Sequence, residues 1–272
     1  MRLIVTVLGS GTSHGVPMIG CECAVCQSSD PRDTRTRPSI LIDLHPDAEP
    51  LPLRVPATTA TARYVLVDTS SDLRQQALAR RVRRIDTILY THSHADHIFG
   101  LDEVRRFNSI QKEPVPCLAD ERTGRDLRRT FSYIFDPSTI PGGGIPQIGL
   151  SRIGGPFCLG GREITPVPVM HGTRPILGFR VGGFAYLTDC SAIPETSWPL
   201  LDGVHTLVLD ALREKKHPTH FNVSDAIEAA TRIGATRTCF THISHDLGHA
   251  ATCARLPAGI ELAYDGLVLE VP

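Results

Sequence analysis

Three imidazoles and a carboxylate fall within six consecutive residues, His92 to His97, in the run Thr91-His92-Ser93-His94-Ala95-Asp96-His97. Imidazole suits zinc, iron and manganese, and a carboxylate adds a hard, charged oxygen, so one such cluster can serve two metal ions. The apolar run 85–90 precedes the motif. That places it just past the carboxyl end of a buried strand, where open α/β sheets put their sites. A His-rich surface turn is the plainer alternative, and ligands this dense behind a buried strand argue against it. A second cluster is Cys21-Glu22-Cys23-Ala24-Val25-Cys26. Three thiols so close in a chain without an export signal more often bind a structural metal than pair as disulfides. They fill three positions of a tetrahedral site and leave one open; reduced, unliganded thiols are the alternative.

Strand-like and helix-like runs alternate along the chain. Strands are expected at 2–8, 38–44, 63–68, 86–90, 115–119, 163–169, 176–181, 184–188, 206–210, 236–241, 261–264 and 267–271. Helices are expected at 71–81, 101–110, 121–130 and 223–233. This alternation implies sheets covered by helices, an α/β or α+β fold. No linker or tandem repeat interrupts it, so one domain is expected over 1–272, with a metal-binding loop at 10–37 inside it. Two stretches lack periodicity: 45–62, rich in Pro, Thr and Ala, expected as a hairpin tip, and 136–155, rich in Gly and Pro, expected as a lid-like loop.

Charge narrows the function classes. Lys+Arg 28 against Asp+Glu 29 gives a net −1, which argues against binding nucleic acid or a membrane by bulk charge. No apolar stretch approaches the ~18 residues of a membrane helix. The N-terminus shows no signal segment, so a cytoplasmic location is expected. Arg80, Arg81, Arg83 and Arg84 form a basic cluster at a helix end, read as a solvated face. Cys117, Cys158, Cys239 and Cys253 lie in or beside apolar runs and read as buried thiols. Phe131, Tyr133 and Phe135 alternate, as in a strand packed into the core, although they could also stack on a base. Asp68 and Asp210 each end a strand and are candidates to hold metal-bound imidazoles from behind, or to cap helices; Asp72 and Asp102 have a weaker claim.

The His-x-His-x-Asp-His run resembles the signature of the metallo-β-lactamase superfamily, and the resemblance extends over essentially the whole chain. It implies an αββα sandwich, two mixed β-sheets flanked by helices, with a dinuclear site along one edge. It also implies a later His, a bridging carboxylate and a final His, for which His171, Asp189 and His242 stand just past strands. His92, His94 and His171 would hold one ion, Asp96, His97 and His242 the other, and Asp189 would bridge them. Cys190 is adjacent to Asp189, and neighbouring strand residues face opposite ways, so only one can face the metals; Asp189 is favoured because a carboxylate bridges two hard ions.

The Cys cluster, with Gly9, Gly11 and Gly15-Val16-Pro17 before it, resembles the PhnP-type phosphoribosyl cyclic phosphodiesterase branch. That likeness implies His245, three residues after His242, as fourth ligand to a structural zinc, with Cys253 as a weaker alternative. It further implies that His220 is not a ligand but assists the reaction at the substrate phosphate, by giving a proton to the leaving oxygen or binding transition-state charge. The implied cofactors are two divalent ions, Mn, Zn or Fe, and one structural Zn. The implied activity is hydrolysis of a small cyclic phosphate or nucleotide phosphodiester by a hydroxide bridging the ions, with Asp96 and His220 as catalytic residues. The partner would be that small molecule, and the chain would form a homodimer. The insertion 45–62, the loop 136–155 and the charged segment 100–106 depart from the branch where pockets are built, so the particular substrate is not carried over. A thioester or lactam hydrolase, a tRNA 3′-end-type nuclease and an inactive binding module are the competing expectations.

Overall fold

The computed structural model describes residues 2–48, 60–139 and 144–272. Of the aperiodic stretches, 49–59 of the first and 140–143 of the second lie outside the described residues. Two mixed seven-stranded sheets pack face to face, with helices on both outer faces.

The first sheet holds β1 (Leu3–Gly9), β2 (Ser39–Asp43), β3 (Tyr64–Val67), β4 (Thr87–Leu89), β5 (Val115–Ala119) and β6 (Ile148–Arg152). The second holds β7 (Phe157–Leu159), β8 (Arg162–His171), β9 (Arg174–Val181), β10 (Phe184–Leu187), β11 (Thr206–Asp210), β12 (Arg237–Thr241) and β13 (Ile260–Leu262). The last strand, β14 (Val268–Val271), returns to pair antiparallel with β1, giving the orders β14-β1-β2-β3-β4-β5-β6 and β13-β12-β11-β10-β9-β8-β7. Val5, Val7, Ile40 and Ile42 from one sheet meet Phe179, Phe184, Tyr186 and Val208 from the other in a shared core. Alternation along β1 and β2 sends one set of side chains inward and the other toward the helices.

Helices α1 (Leu73–Ala79), α3 (Val104–Gln111) and α4 (Glu121–Thr130) cover the first sheet through Leu73, Val104, Phe107 and Leu127. Between α1 and α3 comes the single turn α2 (Ala95–Ile98), and α5 (Ser132–Phe135) follows α4. Helix α6 (Val223–Ile233) covers the second sheet through Ala226, Ala229 and Ala230, and α7 (His249–Cys253) lies before β13. The ends of α4 and α6 are set locally: the side chains of Asp120 and Asn222 accept from the N–H groups of Thr123 and Asp225.

Several expectations are corrected. Residues 148–152 of the stretch read as a loop form β6, pairing parallel with β5; as an edge strand of mixed exposure it lacks a clean period-2 signal. Phe131, Tyr133 and Phe135 do not alternate on a strand, because Ser132–Phe135 is a helical turn; Phe131 packs edge-on against Phe99, and Tyr133 donates to Asp102 Oδ1 at 2.7 Å. Cys158 is exposed, not buried, since it points outward from the short edge strand β7. Arg84 leaves the solvated cluster and is buried against Asp86 and Glu113.

The parallel strands β3 and β4 of one sheet, and β10, β11 and β12 of the other, point the same way. Their carboxyl ends form one rim of the sandwich. Three non-glycine residues just past these strands, Asp68, Asp189 and His242, have φ of 63°, 56° and 59°. Left-handed backbone costs a residue with a Cβ about 1–3 kcal/mol and clusters where side chains must be aimed. Here it turns each side chain back toward the rim.

Candidate metal centre

Each residue of the first motif takes its place from the end of β4. His92 leaves the strand buried, while His94 caps α2 and is exposed. Asp96 and His97 point inward from that turn. His171 ends β8, Asp189 follows β10 and His242 follows β12. Their ligand atoms gather in two groups, each within 4.8 Å: His92, His94, His171 and Asp189, and Asp96, His97, Asp189 and His242. Asp189 belongs to both. Its Oδ1 lies 3.2 Å from His242 Nε2 and 3.9 Å from His92 Nε2, and its Oδ2 lies 3.2 Å from His97 Nε2. Cys190 turns away into the apolar layer beneath α6.

These groups fit divalent cations on their own terms. His92 Nε2, His97 Nε2, His242 Nε2 and Asp96 Oδ2 are buried and make no hydrogen bond. Orphaned polar atoms inside a protein are rare and costly, and four converging on one space match the donor set of a metal site. The opposite nitrogens of His97 and His171 are held from behind. His97 Nδ1 lies 2.7 Å from Asp68 Oδ2, and His171 Nδ1 lies 2.8 Å from the Thr219 carbonyl oxygen. Asp68 also accepts from the Thr91 N–H at 2.8 Å and the Thr91 hydroxyl at 2.7 Å. Such partners fix tautomer and ring orientation. Electrostatics agree: burial pushes the Asp96 carboxyl up, but His97 and His242 outweigh it and hold the group well below the usual carboxylate range.

His220 stands beside this pair of groups. Its ring stacks on His242 with centroids 4.6 Å apart and lies 4.7 Å from His171. Asp210, fully buried, lies 3.1 Å from His220 Nδ1 and 3.7 Å from His242 Nδ1. The structure thus brings Asp210 behind His220 and His242, and Asp68 behind His97.

The second cluster closes across the whole chain. His245 Nδ1 lies 3.2 Å from Cys21 Sγ, 3.3 Å from Cys23 Sγ and 3.7 Å from Cys26 Sγ. These separations suit the edges of a tetrahedron built on zinc bonds of about 2.0–2.3 Å. The Cys23 thiol is pulled down to about 6, first by the Cys26 N–H and then by His245, while burial pushes Cys26 up to about 11. Cys253 lies apart from the cluster, 3.7 Å from His249 Nε2.

Two features escaped the sequence reading. Arg35, with a side chain 0% exposed, donates to the carbonyls of Ser244 at 3.0 Å and Leu247 at 2.7 Å and to Asp33 at 2.9 Å. It ties the cysteine loop to the loop carrying His242 and His245. Ser93, inside the motif, donates to Asp126 at 2.6 Å and accepts from Arg174 at 2.9 Å, bracing the segment between His92 and His94. Neither role has a local signal, because the partners that matter, Ser244 and Leu247 for Arg35 and Asp126 and Arg174 for Ser93, are far away in sequence.

Comparison with known proteins fits this geometry. The sequence signature described as a beta-lactamase superfamily domain matches residues 63–243, from just before β3 to just past His242. A crystal structure of a diphosphatase from the PhnP family is 46% identical, with a TM-score of 0.87, covering 100% of this chain and 98% of that one. Zinc-bound PqqB from Methylobacterium extorquens is 20% identical, with a TM-score of 0.72 over 98% of this chain and 99% of that one, a likeness of fold. A curated relative from Porphyromonas gingivalis, named octanoyltransferase, is 34% identical over 98% of this chain and 51% of its own length. The chain therefore spans about half the length of that relative. The signature across the rim-forming strands and the near full-length likeness to a PhnP-family enzyme place this chain in the metallo-β-lactamase superfamily, as a member of the PhnP type.

Proposed function

We propose that the chain hydrolyses a phosphorus–oxygen bond in a small phosphodiester or diphosphate. The observation that carries this reading is Asp189, one carboxylate facing both imidazole groups. In-line displacement at phosphorus places negative charge on both an attacking and a leaving oxygen, and a paired site suits that demand. His92, His94 and His171 would hold one divalent ion, Asp96, His97 and His242 a second, and Asp189 both. When bound, the ions supply Lewis-acid neutralisation of the phosphoryl oxygens.

The chain's own residues supply the rest. His220 Nδ1 faces Asp210, so its Nε2 is turned away from that carboxylate and can reach a leaving oxygen. Asp210 sets the tautomer and ring plane of His220. Asp68 does the same for His97. His94, the exposed member of its group, marks the side from which substrate enters. Cys21, Cys23, Cys26 and His245 would hold a structural zinc that, with Arg35, fixes the loop at the rim. The diphosphatase named among the relatives cleaves a related bond, which widens the expected substrates from cyclic phosphates and nucleotides to phosphate anhydrides.

The test is hydrolysis of bis(p-nitrophenyl) phosphate and of ADP by Mn-loaded and Zn-loaded protein, with His94→Ala as the blank. Turnover of either above the blank supports the reading; none from metal-replete protein removes it. A second reading rests on the relative named octanoyltransferase: an acyl thioester as substrate. Octanoyl-CoA hydrolysis in the same assay, without turnover of the phosphate compounds, would favour it.

A further inference from the structure

Beyond His220, the surface opens into a cavity of about 250 Å³. Three segments wall it: the turn bearing His14, the loop after β11 bearing Arg213 and His217, and the loop after β12 bearing Ser244. A stack of rings gives its place. His220 lies on His242, and His217, which lines the cavity with it, lies 5.1 Å from His220. His220 is therefore the partition between the paired metal groups and the cavity, and a leaving group departing past it enters this space.

The walls favour an anion. Arg213 supplies a permanent cation, and His14 and His217 supply further donors. The one carboxylate on the wall, Asp246, is exposed and engaged by the Ser244 hydroxyl at 3.1 Å. Arg213 is held at its backbone: its carbonyl accepts from the Val223 N–H at 3.0 Å, and Leu212 N–H to the Phe221 carbonyl at 2.9 Å closes the loop. Its guanidinium reaches only the carbonyls of Lys215 and Lys216, at 3.3 and 3.4 Å. Among the described residues no carboxylate pairs with it, whereas its neighbours Glu214 and Lys216 pair with Arg255 and Asp225. A positioned guanidinium without a counter-ion is suited to bidentate recognition of an oxyanion. The volume is below the ~300 Å³ at which drug-sized pockets begin, so it suits a compact group and not a whole nucleotide.

We propose that this cavity is a leaving-group subsite for a compact oxyanion, a phosphate or a carboxylate, with Arg213 as its charge and His217 as a second donor. It rests on the hydrolysis reading above and narrows it: the preferred substrate carries a further anion on the portion that departs.

The experiment is calorimetric titration of metal-loaded protein with glycerol 3-phosphate, D-glycerate and glycerol, using wild type, Arg213→Gln and Arg213→Lys. Glycerol 3-phosphate or D-glycerate should bind, glycerol should not, and Arg213→Gln should weaken the anion roughly 10–100-fold, the span of one charge-assisted hydrogen bond. Arg213→Lys keeps the charge but loses the two-pronged donor set, so it should bind more weakly than wild type and more tightly than Arg213→Gln, which shows that the loop stays folded. Weakening confined to glycerol 3-phosphate assigns a phosphate, and weakening confined to D-glycerate a carboxylate. Equal affinity of wild type and Arg213→Gln would mean the anion sits elsewhere, at the metals for instance, and would overturn the subsite, as would no binding at all. Calorimetry needs no turnover, so failure here is separable from failure to hydrolyse bis(p-nitrophenyl) phosphate.

Discussion

His220 and His242 lie ring on ring, 12° from parallel and 4.6 Å apart, and the Asp210 carboxylate stands behind both. One buried acid thus stands within hydrogen-bond reach of the residue proposed to assist the leaving group and 3.7 Å from a nitrogen of the residue proposed to hold metal.

Replacing that acid should be felt on both sides. Asp210→Asn is expected to lower turnover about 10–100-fold, the range for groups orienting a metal-bound imidazole, and to reduce metal occupancy part-way. Elemental analysis alongside kcat checks this; full activity with full metal content would show that packing alone holds the two rings.

His220→Ala separates proton delivery from metal binding. Turnover should fall roughly 10²–10⁴-fold, as for a lost general acid, while metal content stays at the wild-type value. Loss of an ion in this variant would make His220 a ligand.

Metal stoichiometry follows from the donor groups. Purified protein should carry about three ions per chain, two at the paired site and one in the cysteine cluster. Asp189→Ala should lose ions from the paired site only, because that carboxylate belongs to both of its groups. A chain that binds one ion or none would refute the assignment.

Cys23→Ser should lower stability more than chemistry, since three thiols and His245 leave no open position for substrate. A fall of several degrees in Tm is expected, at about 2–4 °C per kcal/mol for chains near this size, with kcat changed less. An unchanged Tm with lost turnover would instead place the cluster in the reaction.

A tight approach beside the cysteine loop gives a prediction independent of metals. A Cβ on Gly9 would lie 2.0 Å from the Arg37 carbonyl oxygen, a backbone atom that also accepts from Gln76 Nε2 at 2.8 Å. Gly9→Ala should destabilise the fold by about 1–3 kcal/mol, typical of overpacking, and denaturant midpoints read it directly.

The local chemistry of the site was written in short runs. His92 to His97 follow an apolar strand, and Cys21, Cys23 and Cys26 sit within one turn, so spacing alone marked both clusters. Strand β11 and helices α4 and α6 take the bounds expected from sequence, β11 as a continuous buried run and the two helices from their Asp120 and Asn222 caps. Strand β6 was missed for the opposite reason, with little buried face to leave a period.

Tertiary structure decided everything that depends on distance along the chain. Asp189 and Cys190 are adjacent in sequence, where chemistry favours the carboxylate, and the left-handed turn after β10 aims it at the rim and the thiol into the core. His245 meets Cys21 from 224 residues away, and Arg35 crosses to Leu247 over 212. Arg213 reads as one charge in a mixed loop until β11, β12 and the first turn bring His14 and Ser244 to face it. The physical reason is common to all of these: periodicity and ligand spacing are local, whereas the facing of one loop by another is fixed only when the two sheets bury their shared core.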